Sequence, residues 1–413
     1  MAEFGWTYLS RKSLRQAEDQ LSGDIQGVRD EIGFLLIHQH YADRFFPGTS
    51  VLQKRLRYVF FIPWMYQIIG GRATTQSIER EIAEFELKVC GKLKQIPNQQ
   101  GVIGGRTYPK AIAQPPSTVY WNAMGVWGLL LRNEDRRFIG KAQLRGLIQA
   151  NRRTARNGDE FAIEMQALPF DTEIPPAPSD FDSFEPLSFA LTPKEKQYLH
   201  AKLSHLIRNG TKASLLEKLV SELRTNAVDI LCSENCWDSR ILRLAGDDRA
   251  QLEIAERAAA LAAIGRGVYA ALVEQLRNED HKEDREFHQA ELDLAVAKYK
   301  TKAIELDLEE LKTEIPALPI EMLNVLKGTQ AWLHEHKRNP ANLYKVYETA
   351  ESKRKTVRAR LPRTQNGRSR RDDWDAEIGS VEEQRAQTGP LHYRWYIVRN
   401  LLSDLHGELR GDR

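Results

Sequence analysis

Apolar residues recur three and four positions apart along most of the second half of the chain, and this spacing predicts amphipathic α-helices. The half opens on Thr192-Pro193-Lys194-Glu195, where a cap residue, a proline at the first helical position and a glutamate at the third form a capping box. The 249–278 helix is rich in alanine, which predicts close packing against its neighbours. The other helices are predicted over residues 211–224, 284–312, 320–337 and 342–360.

The first 150 residues also show helical spacing, but turns interrupt it. Helices are predicted over 28–44 and 49–65, on either side of a Phe-Pro-Gly-Thr-Ser turn at 46–50. A helix over 77–93 and a Gly/Pro-rich loop over 101–116 follow. Ser117 then caps a further helix, and a loop rich in arginine joins it to a last helix over 141–150. This pair of helices resembles a helix-turn-helix or winged-helix arrangement.

A segment rich in proline and phenylalanine separates the two halves. Residues 167–193 contain six prolines and four phenylalanines without helical periodicity, so they are predicted as extended chain held against a surface. The predicted fold class is mainly α: an N-terminal helical, winged-helix-like domain (1–158), an ordered connector (159–192) and a multi-helix C-terminal domain (193–413) with a basic loop at 353–371.

Composition narrows the class of protein but does not identify a function. Hydrophobic residues make up 41% of the sequence and charged residues 28%, and this composition excludes a membrane bundle, a collagen-like fibre and a mostly disordered chain. Three cysteines and the lack of a signal-peptide pattern favour a cytoplasmic protein. The most apolar run, 56–69, is too short to span a bilayer, so no membrane partner is expected.

The small net charge of +3 conceals an uneven distribution. Residues 1–150 carry 20 Lys/Arg against 13 Asp/Glu, and residues 351–413 carry 14 against 10, whereas the middle of the chain is acidic. A polyanion is therefore expected to meet the two ends of the sequence rather than the whole protein.

The strongest local signal is a run of cations with no acid between residues 352 and 371. Clustered cations of this kind release counterions from a nucleic acid, so the run is interpreted as a phosphate-contacting arm. The alternatives are a solvated loop or one that docks on acidic residues of a partner protein. The nine cations are Lys353, Arg354, Lys355, Arg358, Arg360, Arg363, Arg368, Arg370 and Arg371.

Two further groups of cations extend the predicted nucleic-acid interface into the first half of the chain. One follows the turn at 46–50 and lies near a predicted helix N-terminus, which favours anions; it consists of Lys54, Arg55 and Arg57. The other overlaps the proposed helix-turn-helix, beside Arg152, Arg153 and Arg156; it consists of Arg132, Arg136, Arg137, Lys141 and Arg145. The alternative for both groups is a structural turn or helix with solvated basic residues.

No catalytic or cofactor signature accompanies these cations. The Gly-rich stretch 101–110 lacks the Gly-Lys-Ser/Thr ending of a P-loop, and a positive φ at Gly104 or Gly105 is expected there instead. The Cys232/Cys236, His38/His40 and His334/His336 pairs lack zinc-site spacing. No cofactor or metal is expected, and the tryptophans and tyrosines inside apolar runs are interpreted as core.

Several blocks of sequence resemble one known group of proteins. FGWTYLS at the start, FPGTSVLQKRLRYVFFIPW at 46–64, GVIGGR at 101–106, PPSTVYWNAMGVWG at 115–128 and LHYRWYIV at 391–398 occur in the order found in domain-of-unknown-function family 6361. The family has no assigned activity, so it implies no catalytic residue. The resemblance implies a prokaryotic cytoplasmic protein encoded among anti-phage defence genes.

Taken together, these features predict a non-catalytic nucleic-acid-binding or scaffold subunit of a bacterial anti-phage defence complex. The expected partners are nucleic acid, with DNA favoured over RNA, and defence proteins such as a helicase or nuclease. One alternative is a pure protein-interaction module that holds such an enzyme through the acidic 279–314 helices and the aromatic connector. Another is a nuclease without a recognisable local motif.

Overall fold

A computed structural model describes residues 30–72, 74, 76–132, 137–157, 167–208, 212–374, 385 and 388–407. The fold is mainly α, as the spacing predicts. Among these residues the strands that pair are β1 (Ile207–Arg208) and β2 (Lys212–Ala213), which are antiparallel with Ile207 opposite Ala213. Within the same ranges, every helix is too short or too polar to cross a membrane.

The helices alternate with short turns along the chain. In chain order they are α1 (Phe34–Phe45), α2 (Tyr58–Gly70), α3 (Ile78–Lys94), α4 (Pro116–Val119), α5 (Trp121–Val126), α6 (Lys141–Asn157), α7 (Pro193–Leu203), α8 (Leu215–Glu222), α9 (Ala227–Leu231), α10 (Ser239–Leu244), α11 (Arg249–His281), α12 (Phe287–Ile304), α13 (Leu308–Glu314), α14 (Ile320–Trp332), α15 (Tyr344–Lys355), α16 (Gln365–Asp372) and α17 (Trp395–His406).

The chain forms two compact units, each built from two separate stretches of sequence. Unit 1 comprises the described parts of Met1–Tyr41 and Arg249–Tyr393, and unit 2 those of Ala42–Asp248 and Arg394–Arg413. These limits differ from the predicted boundaries at 158 and 193. The difference arises because the connector and α7 to α10 pack with the helices that precede them, which sequence patterns within single helices do not record.

Unit 2 is built around α2, which is apolar on all sides and buried from Tyr58 to Tyr66. The predicted capping box of α7 is confirmed: the Thr192 side chain accepts from the Glu195 N–H at 3.3 Å, and Glu195 Oε2 accepts from the Thr192 N–H at 2.8 Å. The predicted core positions of Trp64, Tyr66, Tyr120 and Trp127 are confirmed, whereas Trp121 is half-buried.

The turn at 46–50 is present, and it packs tightly against a tryptophan. Gly48 has a φ of +80°, and a Cβ at this position would lie 2.7 Å from the Trp127 indole nitrogen. That nitrogen donates to the Pro47 carbonyl at 2.9 Å. The turn therefore has a structural role, because it packs against Val126 at the end of α5 and against Trp127, which follows the helix.

The helix after this turn begins at Tyr58 rather than at the predicted position 49. Side chains from elsewhere in unit 2 bind the main-chain groups that a helix would otherwise satisfy. The Tyr120 hydroxyl accepts from the N–H groups of residues 54 and 55, each at 3.0 Å, and Asp404 Oδ2 accepts from the Leu56 N–H at 2.8 Å. These long-range contacts replace local helix formation over 49–57.

The described part of the connector, residues 167–192, is held mainly by α2 and α3. The buried Lys92 ammonium donates to the carbonyls of Asp180 at 2.9 Å and Phe181 at 2.8 Å, and burial lowers the pKa of Lys92. Trp64 Nε1 donates to the Pro175 carbonyl at 2.7 Å. Of the four phenylalanines, Phe170, Phe181 and Phe189 are buried and Phe184 is 84% exposed. The connector therefore belongs to unit 2 rather than linking two domains.

The part of the proposed winged-helix region that the structure describes contains helices but no β-hairpin wing. In residues 116–132 and 137–157 the β-contact within this region is the single bridge between Arg132 and Phe138. The Phe138 ring packs so closely on Gly125 that a Cβ there would lie 2.8 Å from it. Phe138 thus packs on α5 through an apolar contact, where a wing would have two longer paired strands.

Unit 1 is built around α11, which forms an antiparallel hairpin with α12. The ion pairs Lys302–Glu256 and Arg257–Glu305 join the end of α12 to the start of α11. The Ala258–Ala263 run is buried, as predicted. Close packing extends to Gly265 and Gly267, where a Cβ would lie 2.5 Å from the Phe34 ring and 3.0 Å from Leu292, respectively.

The predicted helix over 284–312 is two helices, α12 and α13. Asp307 caps the second one by accepting from the N–H groups of Glu309 at 2.9 Å and Glu310 at 3.2 Å. At the break, the Gln330 side-chain amide donates to the carbonyls of residues 303, 304 and 306. The amide thus supplies hydrogen bonds to carbonyls that the interrupted helix leaves without partners.

We expect Asp404→Ala to destabilise unit 2 by about 3 kcal/mol, because it leaves the Leu56 N–H and the Arg55 guanidinium without their buried acceptor. Denaturant unfolding measures the loss. Asp43, 67% exposed in its pair with Arg394, provides the control, since Asp43→Ala is expected to change the free energy of unfolding by less than about 0.5 kcal/mol. Equal effects of the two substitutions would contradict the assignment.

Candidate nucleic-acid interface

The basic segment 353–371 is largely helical. It comprises the end of α15, a 3₁₀ turn at Thr356–Arg358 and nearly all of α16, with an irregular stretch only at residues 359–364. The Thr364 side chain caps α16 by accepting from the Gly367 N–H at 3.1 Å. The segment predicted as a basic loop is therefore a folded part of unit 1.

Most cations of this segment form ion pairs or hydrogen bonds within unit 1. Glu31 accepts from Arg360 at 2.9 Å and from Lys355 at 3.1 Å. Although burial opposes ionisation of Glu31, the two cations outweigh it and lower the pKa of this carboxyl. The other pairs are Lys353–Glu321, Arg354–Asp30, Arg363–Glu279 and Arg371–Asp280.

Arg371 is the most deeply placed of these cations and is 1% exposed. Its guanidinium donates to Asp280 Oδ2 at 2.6 and 2.8 Å and to the carbonyls of Arg360 at 2.5 Å and Pro362 at 3.1 Å. Arg368 donates to the Asp280 carbonyl at 2.8 Å. These bonds fix α16 against the end of α11, so Arg371 has a structural role.

A buried carboxyl holds the chain between the two helices of the segment. Glu351 is fully buried and accepts from the Tyr269 hydroxyl at 2.6 Å and from the N–H groups of Arg360 at 2.9 Å and Leu361 at 2.8 Å. Burial raises the pKa of Glu351.

Two cations of the segment have neither an ion pair nor a hydrogen bond of this kind within the described ranges. Arg358 is exposed and Arg370 half-buried, and neither has an ion-pair partner among the described residues.

The cations after the turn at 46–50 are also mostly paired within their own unit. The Arg55 guanidinium contacts Asp404 at 2.9–3.0 Å and lies 4.6 Å over the Phe189 ring. The Arg57 guanidinium contacts Glu195 at 2.9 Å in a buried pair. Carboxylates of the chain itself therefore occupy the place predicted for a phosphate, and Lys54 alone of the three is exposed.

The third predicted group is divided among several environments in unit 2. Arg132 is exposed over the Phe138 ring at 4.6 Å, and Arg137 is also exposed. The Lys141 ammonium donates to Thr118 Oγ1 at 2.7 Å, and burial lowers the pKa of this lysine. Arg145 pairs with Glu79 at 3.0 Å. Arg136, the side chain of Arg156 and the FGWTYLS block lie outside what the structure describes.

A basic surface that the sequence analysis missed surrounds the Gly-rich stretch 101–110. The Lys94 ammonium lies 5.1 Å over the ring of Tyr108, which is 40% exposed. Tight turns at residues 104–110 place Arg106 and Lys110 beside this tyrosine, both exposed. Gly104 has the expected positive φ, at +78°. Lys54 adjoins the stretch at Gly101, where a Cβ would lie 3.3 Å from the lysine Cβ.

We call Lys54, Lys94, Arg106, Tyr108 and Lys110 the basic loop surface. Among the described residues none of its four cations has a carboxylate partner. The reason is visible in the sequence, because residues 87–133 contain no Asp or Glu. Local charge density does not reveal this surface, because its cations are widely spaced along the sequence, whereas nine cations fall within the 19 residues of 353–371.

A cleft of about 510 Å³ lies between the start of α3 and one face of α6. Arg145, Arg152 and Arg153 line it, together with the carboxylate of Glu79. Arg152 is held by buried Glu81 at 2.7 Å and by the Ile69 carbonyl at 2.5 Å. Its Nε has no hydrogen-bond partner among the described residues. The cleft therefore combines a fixed cation with exposed ones.

Gly146 faces this cleft from the middle of α6. A Cβ added there would meet no atom within 4 Å, so packing does not require a glycine. Glycine in a helix interior costs about 0.5–1 kcal/mol relative to alanine. The sequence thus keeps a destabilising residue whose structural effect is to leave the cleft open.

The structure brings together no group that indicates catalysis at these surfaces. Among the described residues no three His, Cys, Asp or Glu side chains are placed to hold a metal ion. The three cysteines are free, and burial raises the pKa of the Cys90 and Cys236 thiols.

We expect Arg371→Met to lower the free energy of unfolding of unit 1 by about 3 kcal/mol, because Asp280 and two main-chain carbonyls lose their buried donor. Arg358→Ala removes the same charge from an exposed, unpaired position and is expected to cost less than about 0.5 kcal/mol. Urea unfolding of both variants tests this contrast. A similar small cost for both would mean that Arg371 is not a structural residue.

We expect Gly146→Ala to stabilise the protein by about 0.5–1 kcal/mol, since alanine is the better helix former and its methyl group meets no neighbour. The melting temperature and the urea midpoint measure the gain. Gly265→Ala serves as the opposite case, because its Cβ would collide with the Phe34 ring. A destabilised Gly146→Ala variant would show that another constraint selects glycine.

Comparisons with known proteins give one match. The sequence model of a family described as "Family of unknown function (DUF6361)" matches residues 1–320. No curated protein and no solved structure matches the chain. The match covers all of the described part of unit 2 up to residue 248, including the basic loop surface and the cleft, and it ends before the basic segment 353–371.

Proposed function

The chain belongs to the DUF6361 family, and we propose that this protein binds the phosphate backbone of nucleic acid through the basic loop surface of unit 2, without catalysing a reaction. The observation that carries the proposal is the set of four exposed cations around residues 101–110, none with a carboxylate partner among the described residues. Unpaired exposed cations displace counterions from a polyanion, and no existing ion pair has to be broken before they bind.

Tyr108 adds a second mode of contact to this surface. Its ring is 40% exposed and flanked by Lys94, Arg106 and Lys110. An exposed aromatic ring between cations stacks on unpaired bases while the cations contact the backbone. Single-stranded DNA or RNA is therefore expected to bind at least as well as duplex DNA, whereas the sequence-based expectation favoured DNA over RNA.

The basic segment 353–371 supports the proposal less than its charge predicts. Five carboxylates of unit 1 bind six of its nine cations, so a phosphate contacting these six would compete with existing pairs. Of the other three, Arg368 donates to the Asp280 main-chain carbonyl, and Arg358 and Arg370 have no ion pair among the described residues. We retain these two as secondary contacts of the proposed interface.

The biological setting forms part of the proposal and comes from the family resemblance alone. We propose that the protein serves a bacterial anti-phage defence complex with a helicase or nuclease as partner. A pure protein-interaction module is the second candidate, and exposed Phe184 of the connector is the observation that favours it. Co-purification of a partner that survives nuclease treatment and high salt would favour the second candidate over the first.

We expect Lys94→Ala/Arg106→Ala/Lys110→Ala to weaken binding of labelled duplex DNA, single-stranded DNA and RNA and to flatten the salt dependence. Each lost phosphate contact reduces the slope of log affinity against log salt by about 0.9 for duplex DNA, so the triple variant loses up to about 2.7. Fluorescence anisotropy over a salt series measures both quantities. Tyr108→Ala is expected to affect the single strands more than the duplex.

The matched control removes three exposed cations from unit 1, with Lys298→Ala/Lys337→Ala/Arg338→Ala. It changes the net charge equally, so an equal loss of slope would show that bulk charge rather than the basic loop surface binds. An unchanged slope in the unit 2 variant would overturn the proposal. Cleavage of supercoiled DNA that a chelator abolishes would overturn its non-catalytic part.

A further inference from the structure

We propose that the cleft between α3 and α6 binds a phosphorylated ligand of about nucleotide size, through its phosphate group. The cleft is separate from the basic loop surface, and the inference does not depend on the function proposed for that surface. Its volume, about 510 Å³, lies within the usual range for small-molecule sites and exceeds what a phosphate ion alone would fill.

The charges of the cleft favour an anion. Three arginines and one carboxylate, Glu79, line it. Arg153 is exposed and has no ion-pair partner among the described residues, and Arg145 shares an exposed pair with Glu79, whose side chain is 64% exposed. Such exposed pairs are weak, so a phosphate group competes readily for Arg145. Guanidinium groups bind phosphate oxygens in a two-pronged geometry that suits this role.

Arg152 gives the cleft a cation in a fixed position. Its side chain is only 8% exposed, and Glu81 and the Ile69 carbonyl bind its terminal nitrogens. Its buried Nε has no acceptor among the described residues. A preorganised arginine loses little conformational entropy on binding an anion.

The main chain on both sides of the cleft is consistent with a bound phosphate. Ser77 and Ile78 line the cleft at the start of α3, where Ser77 accepts from the N–H groups of Arg80 and Glu81 and leaves those of Ile78 and Glu79 without an acceptor in this turn. On the opposite side, Gly146 leaves open the space that any side chain would enter. The glycine, otherwise a cost to α6, thus has a function in admitting a ligand.

The test uses the full-length protein and isothermal titration calorimetry with inorganic phosphate, adenosine and adenosine 5′-monophosphate. We expect the monophosphate to bind, inorganic phosphate to bind more weakly and adenosine not to bind. A short single strand with a 5′-phosphate, compared with the same strand bearing a 5′-hydroxyl, then separates the two sources of the phosphate. Preference for the phosphorylated strand identifies a nucleic-acid end, and equal binding of both strands identifies a free nucleotide.

Two variants are expected to abolish monophosphate binding or weaken it at least about ten-fold. Gly146→Phe fills the cleft, and Arg153→Glu reverses an exposed charge. Glu79→Gln removes the competing carboxylate and is expected to tighten binding about three-fold, which a merely structural role would not produce. Arg80→Ala is the control, because Arg80 is 73% exposed on the same turn of α3 but does not line the cleft.

Thermal unfolding establishes that each variant is folded. Gly146→Ala is compared with Gly146→Phe because alanine raises the helix propensity of α6 without the bulk of phenylalanine. Equal affinity of Gly146→Phe and the unmodified protein for the monophosphate, or binding of adenosine as tight as that of its monophosphate, would overturn the proposal. Failure here leaves the salt dependence of the basic loop surface unchanged, so the two proposals fail separately.

Discussion

Buried carboxylates determine which of the many cations of this protein are available at its surface. A buried charge without a partner is strongly unfavourable, so each buried carboxylate of the two units is held with a donor. Asp404 and Glu195 bind arginines of residues 55–57 in unit 2, and buried Glu31, together with half-buried Asp280, binds the basic segment in unit 1. The folded state therefore uses much of the positive charge internally.

This constraint moves the candidate function away from the most basic stretch of sequence. The nine cations of 353–371 lie in helices whose neighbours supply acids, whereas the few cations of 94–110 lie in a stretch without any. The pairs of Arg360 and Arg371 are largely buried and must be broken before either cation contacts a phosphate, whereas the pairs of Lys353 and Arg363 are exposed and weak. A modest number of free cations thus offers more than a dense but neutralised cluster.

In the cleft of unit 2, a buried carboxylate again binds an arginine of the chain itself. Glu81 holds Arg152 in place without covering all of its donors, and the open space at Gly146 keeps neighbouring arginines accessible. The buried ion pair fixes Arg152 at the wall of the cleft, and the more accessible cations there are Arg145 and Arg153. Arg152 is buried in an ion pair, whereas the next residue, Arg153, is exposed without an ion-pair partner among the described residues, and their identity as arginines does not distinguish them.

The sequence by itself determined the features that depend on neighbours along the chain. The capping box at Thr192, the buried alanines of α11, the turn at 46–50 and the core position of Trp64 and Trp127 were all predicted from spacing and local chemistry. The tertiary structure alone decided the limits of the units, the late start of α2 and the partner of each cation. Arg55 meets Asp404 across 349 positions, and no local pattern encodes a contact at that separation.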